Sequence, residues 1–141
     1  MQKIIPNLWF DHQAERAAEF YCSMFPDSEI LKKSFYGESG AAVSGMPEGT
    51  VLTVGFRVGG LEFVALNGGP VFSFTPAISF FVNCETEQEQ DQYWEKLSEG
   101  GAVLMEMGPY PFGRRFGWVM DQFGVSWQLS LADEGQKLVP F

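Results

Sequence analysis

One order of elements, β-α-β-β-β, can be read twice along this chain. Residues 2–10, QKIIPNLWF, are apolar and β-prone. After Asp11, the stretch HQAERAAEFYCSMF carries apolar residues at Ala14, Ala17, Ala18, Tyr21, Met24 and Phe25. That spacing predicts a helix with one buried face, with Asp11 as its N-cap and Pro26 as its stop. SEILKKSFY (28–36) reads as a strand, and the glycine-containing GESGAAVSGMPEG (37–49) as a loop. TVLTVGFRV (50–58) then alternates, with Leu52, Val54, Phe56 and Val58 on one side. Gly59-Gly60 predicts a two-residue hairpin turn into LEFVALN (61–67).

A connector from Asn67 to Pro76 precedes the second pass. AISFFVNC (77–84) reads as a strand. Thr86-Glu87-Gln88-Glu89 reads as a capping box, in which the Thr hydroxyl and the Glu carboxylate each take a backbone N–H. The helix runs to about Ser98, burying Tyr93, Trp94 and Leu97, and Gly100-Gly101 closes it. Extended AVLMEM, a loop GPYPFG, RRFGWVMD and VSWQLSL follow, with Phe123-Gly124 as the last turn. The halves also share detail. Phe20-Tyr21 matches Tyr93-Trp94, and a hairpin glycine precedes both LEFVALN and VSWQLSL. The expectation is a duplication, with modules at about 1–70 and 74–135 of one domain. Each spans roughly 65 residues, where independent folding is marginal.

Alternation assigns faces. Ile78, Phe80, Val82 and Cys84 fall on one side of their strand, and Ala77, Ser79, Phe81 and Asn83 on the other. Trp127, Leu129 and Leu131 oppose Ser126, Gln128 and Ser130. The bulky sides should pack on helices. The mixed sides would then line a cleft between two curled sheets. The fold class expected is therefore α+β, two β-α-β-β-β modules forming a curved mixed sheet around a cleft.

Composition narrows the partners. Hydrophobic residues make up 45% and charged residues 19%, which suits a globular chain. The net charge of -9 sets the surface against nucleic-acid phosphates and anionic lipid, so neither is expected as a partner. No apolar run approaches the roughly 18 residues of a membrane helix. Met1-Gln2-Lys3-Ile4-Ile5-Pro6 lacks a signal-peptide core, so a cytoplasmic location is expected. Cys22 and Cys84 each lie in an apolar segment and read as buried, unpaired thiols.

The strings Pro6-Asn7-Leu8-Trp9-Phe10-Asp11, Leu66-Asn67-Gly68-Gly69-Pro70, Ile78-Ser79-Phe80, Gly117-Trp118 and Phe123-Gly124-Val125-Ser126-Trp127-Gln128 resemble a known family. It is the PhnB-like branch of the glyoxalase/bleomycin-resistance/dihydroxybiphenyl-dioxygenase (vicinal oxygen chelate) superfamily. The branch has carried the name 3-demethylubiquinone-9 3-methyltransferase. The resemblance implies a glyoxalase-like fold, a homodimer, and ligand binding in the cleft. In metal-dependent relatives, four His, Gln or Glu ligands come from the first and last strands of each module. Carried over, those positions fall near Pro6, at Val64 or Ala65, near Ala77, and at Gln128. Three carry no donor side chain, so no metal and no cofactor are expected. The name implies S-adenosylmethionine, but Asp11-His12-Gln13-Ala14-Glu15 after the first strand holds no glycine-rich turn.

The ligand-binding candidates are Gln128, Asn67, Ser79, Trp118 and Phe81; no catalytic residue is assignable. Asn67 has two readings, a ligand hydrogen bond or the geometry of an Asn-Gly-Gly turn. Gln128 lies mid-strand, where no turn explains it. Trp9 and Trp127 read as helix–sheet core, Asp121 as a turn residue, and Arg114-Arg115 as a solvated edge pair. Three functions follow. The first is metal-free binding of a small organic ligand. The second is an enzyme of unknown reaction on such a molecule. The third is the methyltransferase of the branch's name.

Overall fold

The computed structural model describes residues 1–132. Two compact units divide it, Met1–Ser73 and a second beginning at Phe74. The architecture is α+β, with one four-stranded mixed sheet in each unit.

The first unit runs β1 (Asn7–Phe10), α1 (Ala14–Met24), β2 (Glu29–Phe35), α2 (Glu38–Ser44), β3 (Val51–Val58) and β4 (Leu61–Asn67). The sheet order is β1-β4-β3-β2. β1 lies parallel to β4, and the other pairs are antiparallel. Gly59 (φ 57°) and Gly60 (φ 85°) make the expected β3–β4 turn, whose two positive φ values suit the twist of a tight hairpin. α1 buries Ala14, Ala17, Ala18 and Tyr21, and Phe25 just beyond it is buried as well. Tyr21 stacks on Phe56 at 6.3 Å, and Phe56 on Phe63 at 5.4 Å.

Two local expectations are corrected here. The 37–49 segment is not all loop, since Glu38–Ser44 is helical, entered at Gly37 and left through Gly45 at φ 78°. Seven residues are too few to display a helical period, and the glycines read as loop. Asp11 is not the N-cap of α1. Gln13 holds that place and its side chain caps nothing.

The second unit runs β5 (Ser79–Cys84), α3 (Glu87–Ser98), β6 (Ala102–Tyr110), β7 (Gly113–Met120) and β8 (Ser126–Leu131). Its order, β5-β8-β7-β6, repeats that of the first, with β5 parallel to β8. β5 starts at Ser79 rather than Ala77, and Ile78 is exposed. Thr86 caps α3 by accepting the Glu89 N–H at 3.1 Å. The Glu89 carboxylate instead hydrogen-bonds Tyr93, so only half of the expected capping box forms. α3 buries Gln90, Tyr93 and Leu97. The buried counterpart of Tyr21 is thus Tyr93, one residue off the match of aromatic pairs. Trp94 lies half-buried over Gly117, where an added Cβ would come within 2.6 Å of its ring. Gln90 is fully buried yet satisfied: its amide donates to the Arg115 and Leu129 carbonyls at 3.0 and 3.2 Å and accepts from the Arg115 guanidinium at 2.9 Å.

No helix among the described residues is long and apolar enough to cross a membrane.

Candidate functional site

The period-2 alternation of β5 and β8 decides which side chains α3 covers. Trp127, Leu129, Leu131 and Cys84 are buried, and Phe80 packs on Trp127 at 5.3 Å. Ser79, Phe81 and Asn83 of β5, with Ser126, Gln128 and Ser130 of β8, take the opposite face. Strand register sets their neighbours. Gln128 lies between Phe81 on β5 and Trp118 on β7, and Trp118 pairs onward with Met105 of β6. Ser126 lies between Ser79 and Met120, and Ser130 between Asn83 and Phe116. Four of the five candidates from the sequence therefore share one face of one sheet: Gln128, Ser79, Trp118 and Phe81.

Two hydrogen bonds order this face. Gln128 Nε2 donates to Ser79 Oγ at 2.6 Å, and Trp118 Nε1 to Ser126 Oγ at 2.6 Å. Ser126 is buried, while Gln128, Ser79, Trp118 and Phe81 are half-buried. Phe81 leans on Phe116 at 6.4 Å. Around Phe116, Phe112 and Tyr110 add edge contacts at 4.9 and 5.7 Å, and the latter two stack on each other at 5.3 Å. This cluster at the β6–β7 hairpin carries no periodic signal, because both Tyr110 and Phe112 sit in a Gly/Pro segment that reads as loop.

Asn67, the fifth candidate, lies in the first unit and is buried. Its Oδ1 accepts the Ala14 N–H at 2.9 Å, its Nδ2 donates to the Val51 carbonyl at 3.0 Å, and its own carbonyl accepts from the Tyr36 hydroxyl. Oδ1 thus serves as the cap that α1 lacks locally. Asn67 has no positive φ; Gly69 carries it, at 87°.

The other marked residues also have defined places. Trp127 is core, and its Nε1 donates to Asp121 Oδ2 at 2.9 Å. Asp121 Oδ1 takes the Phe123 and Val125 N–H groups at 2.8 and 3.0 Å, closing the β7–β8 turn. Trp9 departs from its expected core place. It alternates away from the buried Leu8 and Phe10, covers Gly68, and meets Phe72 edge-on at 4.9 Å. Arg115 is no free edge cation, pairing with Asp91 at 2.7 Å and Glu87 at 3.6 Å. Arg114 donates to the Ala132 carbonyl at 2.6 Å. Cys22 and Cys84 are both free thiols. Burial pushes the Cys84 thiol and the Tyr93 phenol each up to about 12, which makes them inert groups at neutral pH.

The positions at which metal-dependent relatives place ligands now have definite surroundings. Gly60 and Gly124 hold equivalent turn positions (φ 85° and 90°), so Val64 is the counterpart of Gln128. Ala65 is fully buried, on the side of the sheet that packs on α1. Pro6 and Ala77 precede their strands. One neutral amide oxygen, on Gln128, is the whole donor set, and it does not fit a divalent cation that needs several carboxylate or imidazole ligands. Among the described residues no three His, Cys, Asp or Glu side chains group as ligands.

The family model for 3-demethylubiquinone-9 3-methyltransferase matches residues 2–130. The chain belongs to this PhnB family. It is similar to a PhnB protein of Bacillus cereus described by the same methyltransferase name, at 47% identity and a TM-score of 0.83, covering 93% of this chain and 100% of that one. Two more distant likenesses show the fold alone. Protein PA1353 of Pseudomonas aeruginosa is 23% identical, covers 93% of this chain and 98% of its own, and has a TM-score of 0.68. A glyoxylase/bleomycin resistance protein/dioxygenase domain of Frankia is 17% identical, covers 96% of each chain, and has a TM-score of 0.63. Among curated proteins none matches the chain.

The S-adenosylmethionine that the family's name implies finds no fitting cradle at the β1–α1 junction. That junction is Asp11-His12-Gln13, without glycine, and the first helical N–H is already taken by Asn67. The strand order differs as well, since β1 is parallel to β4 and sits at a sheet edge.

Proposed function

We propose that this PhnB-family protein binds a small organic ligand on the face of its second sheet opposite α3, without a metal at the superfamily positions. The observation that carries the reading is the register of that face, in which Gln128 is flanked by Phe81 and Trp118 and hydrogen-bonded to Ser79. Aromatic rings supply contact area and a few fixed polar groups supply orientation, the usual composition of a small-molecule site. The donor chemistry at Val64 and Gln128 supports the metal-free part.

Native mass spectrometry of the purified protein tests the reading. An organic adduct on the wild type that is lost from Gln128→Ala is the expected result. The same spectrum reports the homodimer that the family resemblance implies. One Zn, Ni, Mn or Fe per chain, retained at neutral pH, would overturn the metal-free part.

A further inference from the structure

We infer that the ligand of this face is a planar molecule without an anionic group, with a hydrogen-bond donor beside an acceptor on one edge, as in a cyclic amide. The inference rests on that face of the second sheet, opposite α3, being the binding surface. Its first support is the Gln128–Ser79 pair. Gln128 Nε2 occupies a lone pair of Ser79 Oγ at 2.6 Å, so the Ser79 hydrogen points elsewhere. Gln128 Oε1 has no partner among the described residues, and no unpartnered side-chain nitrogen or oxygen among them is buried. The pair therefore presents donors, the Ser79 O–H and the second Nε2 hydrogen, beside an acceptor, Gln128 Oε1, at a half-buried surface. Turning the amide by half a rotation exchanges the roles and leaves the same offer, since Nε2 then donates and Ser79 Oγ accepts. A ligand edge with C=O next to N–H satisfies both at once. The C=O accepts from one group while the N–H donates to the other.

The flanks set the shape. Phe81 and Trp118 lie on either side of Gln128 in register. The Trp118 N–H is held by Ser126, which fixes the indole and leaves its ring surface as the contact. A flat ring system whose edge meets Gln128 would present its faces to such rings.

The charge follows from what the face lacks and what the neighbouring cations already hold. The other polar groups that β5 and β8 place on it, Ser126, Ser130 and Asn83, are neutral. Arg114 at the start of β7 donates to the Ala132 carbonyl, and Arg115 pairs with Asp91 and Glu87. An anionic ligand would lose hydration here and meet, among the described residues, one cation only, Arg114 at the start of β7, whose guanidinium already holds the Ala132 carbonyl. The net charge of -9 disfavours anions further.

Three probes of nearly equal size separate these points: 2-quinolinone, 1-methyl-2-quinolinone and quinoline-2-carboxylate. Each is titrated into the ¹⁵N-labelled full chain, with amide shifts reporting both site and affinity. The expected result is that 2-quinolinone moves amides of β5, β7 and β8, that the N-methyl analogue binds about tenfold more weakly, and that the carboxylate binds weakest. In Gln128→Leu the first two should converge. Shifts on those strands with the N-methyl compound or the carboxylate binding as well as the lactam would overturn the ligand class and leave the face standing. No shift on those strands from any probe would overturn both.

Discussion

The two sheets share strand order, strand direction and turn glycines, yet their polar groups do different work. In the second, Gln128 lies between Phe81 and Trp118 on the face turned away from α3. In the first, the equivalent Val64 lies between Asn7 and Gly55. In the first, the buried amide of Asn67 joins α1 to β3 and, through its carbonyl, to Tyr36. At the matching end of β8 stands Leu131, which is buried and apolar. The helices differ accordingly. α3 is capped from its own sequence by Thr86, whereas α1 is capped across 53 residues by Asn67. A repeated strand order can thus hold itself together in one unit with groups that the other unit is free to present elsewhere.

Giving the first unit the second's residue breaks this contrast most sharply. Asn67→Leu leaves the Ala14 N–H and the Val51 carbonyl without their partner, at a cost of about 2–5 kcal/mol, read from urea unfolding. An unchanged midpoint would refute the long-range cap. Alkaline pH should act next, chiefly on the second unit. The Cys84 and Tyr93 values are raised to about 12, from 9.0 and 10.0, so their neutral forms stabilise the fold fully below about pH 9. That stability is lost as pH climbs toward 12, at about 1.4 kcal/mol per pH unit for each group. Cys84→Ala should flatten the slope above pH 9. Cys22→Ala should flatten it less, because Arg57 partly offsets the burial that raises Cys22. Equal slopes in both variants would count against this difference. The smallest stability effect is expected for Thr86→Ala, about 1 kcal/mol for one exposed cap.

Much of this contrast was legible in the sequence, and the illegible part has a common cause. The Gly59-Gly60 turn, the Thr86 cap and the face alternation of β5 and β8 are local signals, and each reads directly. Gln128 stood out because a mid-strand amide has no local explanation. Asn67 could not be read correctly, since the group it caps lies at the other end of the unit's chain and its turn-like context supplied a plausible local role. The short α2 hid for want of a period. Trp9 looked like core because a large aromatic beside Leu8 and Phe10 fits that class. Only the strand phase shows that it points the other way.

The most direct test exchanges the matched pair at the centre of the two faces. The affinity of 2-quinolinone is measured for the wild type, for Gln128→Val, and for Gln128→Val with Val64→Gln. The account predicts binding at least about tenfold weaker in Gln128→Val, with the urea midpoint held, and no recovery in the double variant, where the new amide would lack aromatic neighbours. Undiminished affinity in Gln128→Val, or recovery through residue 64, would contradict the assignment of ligand binding to the second sheet.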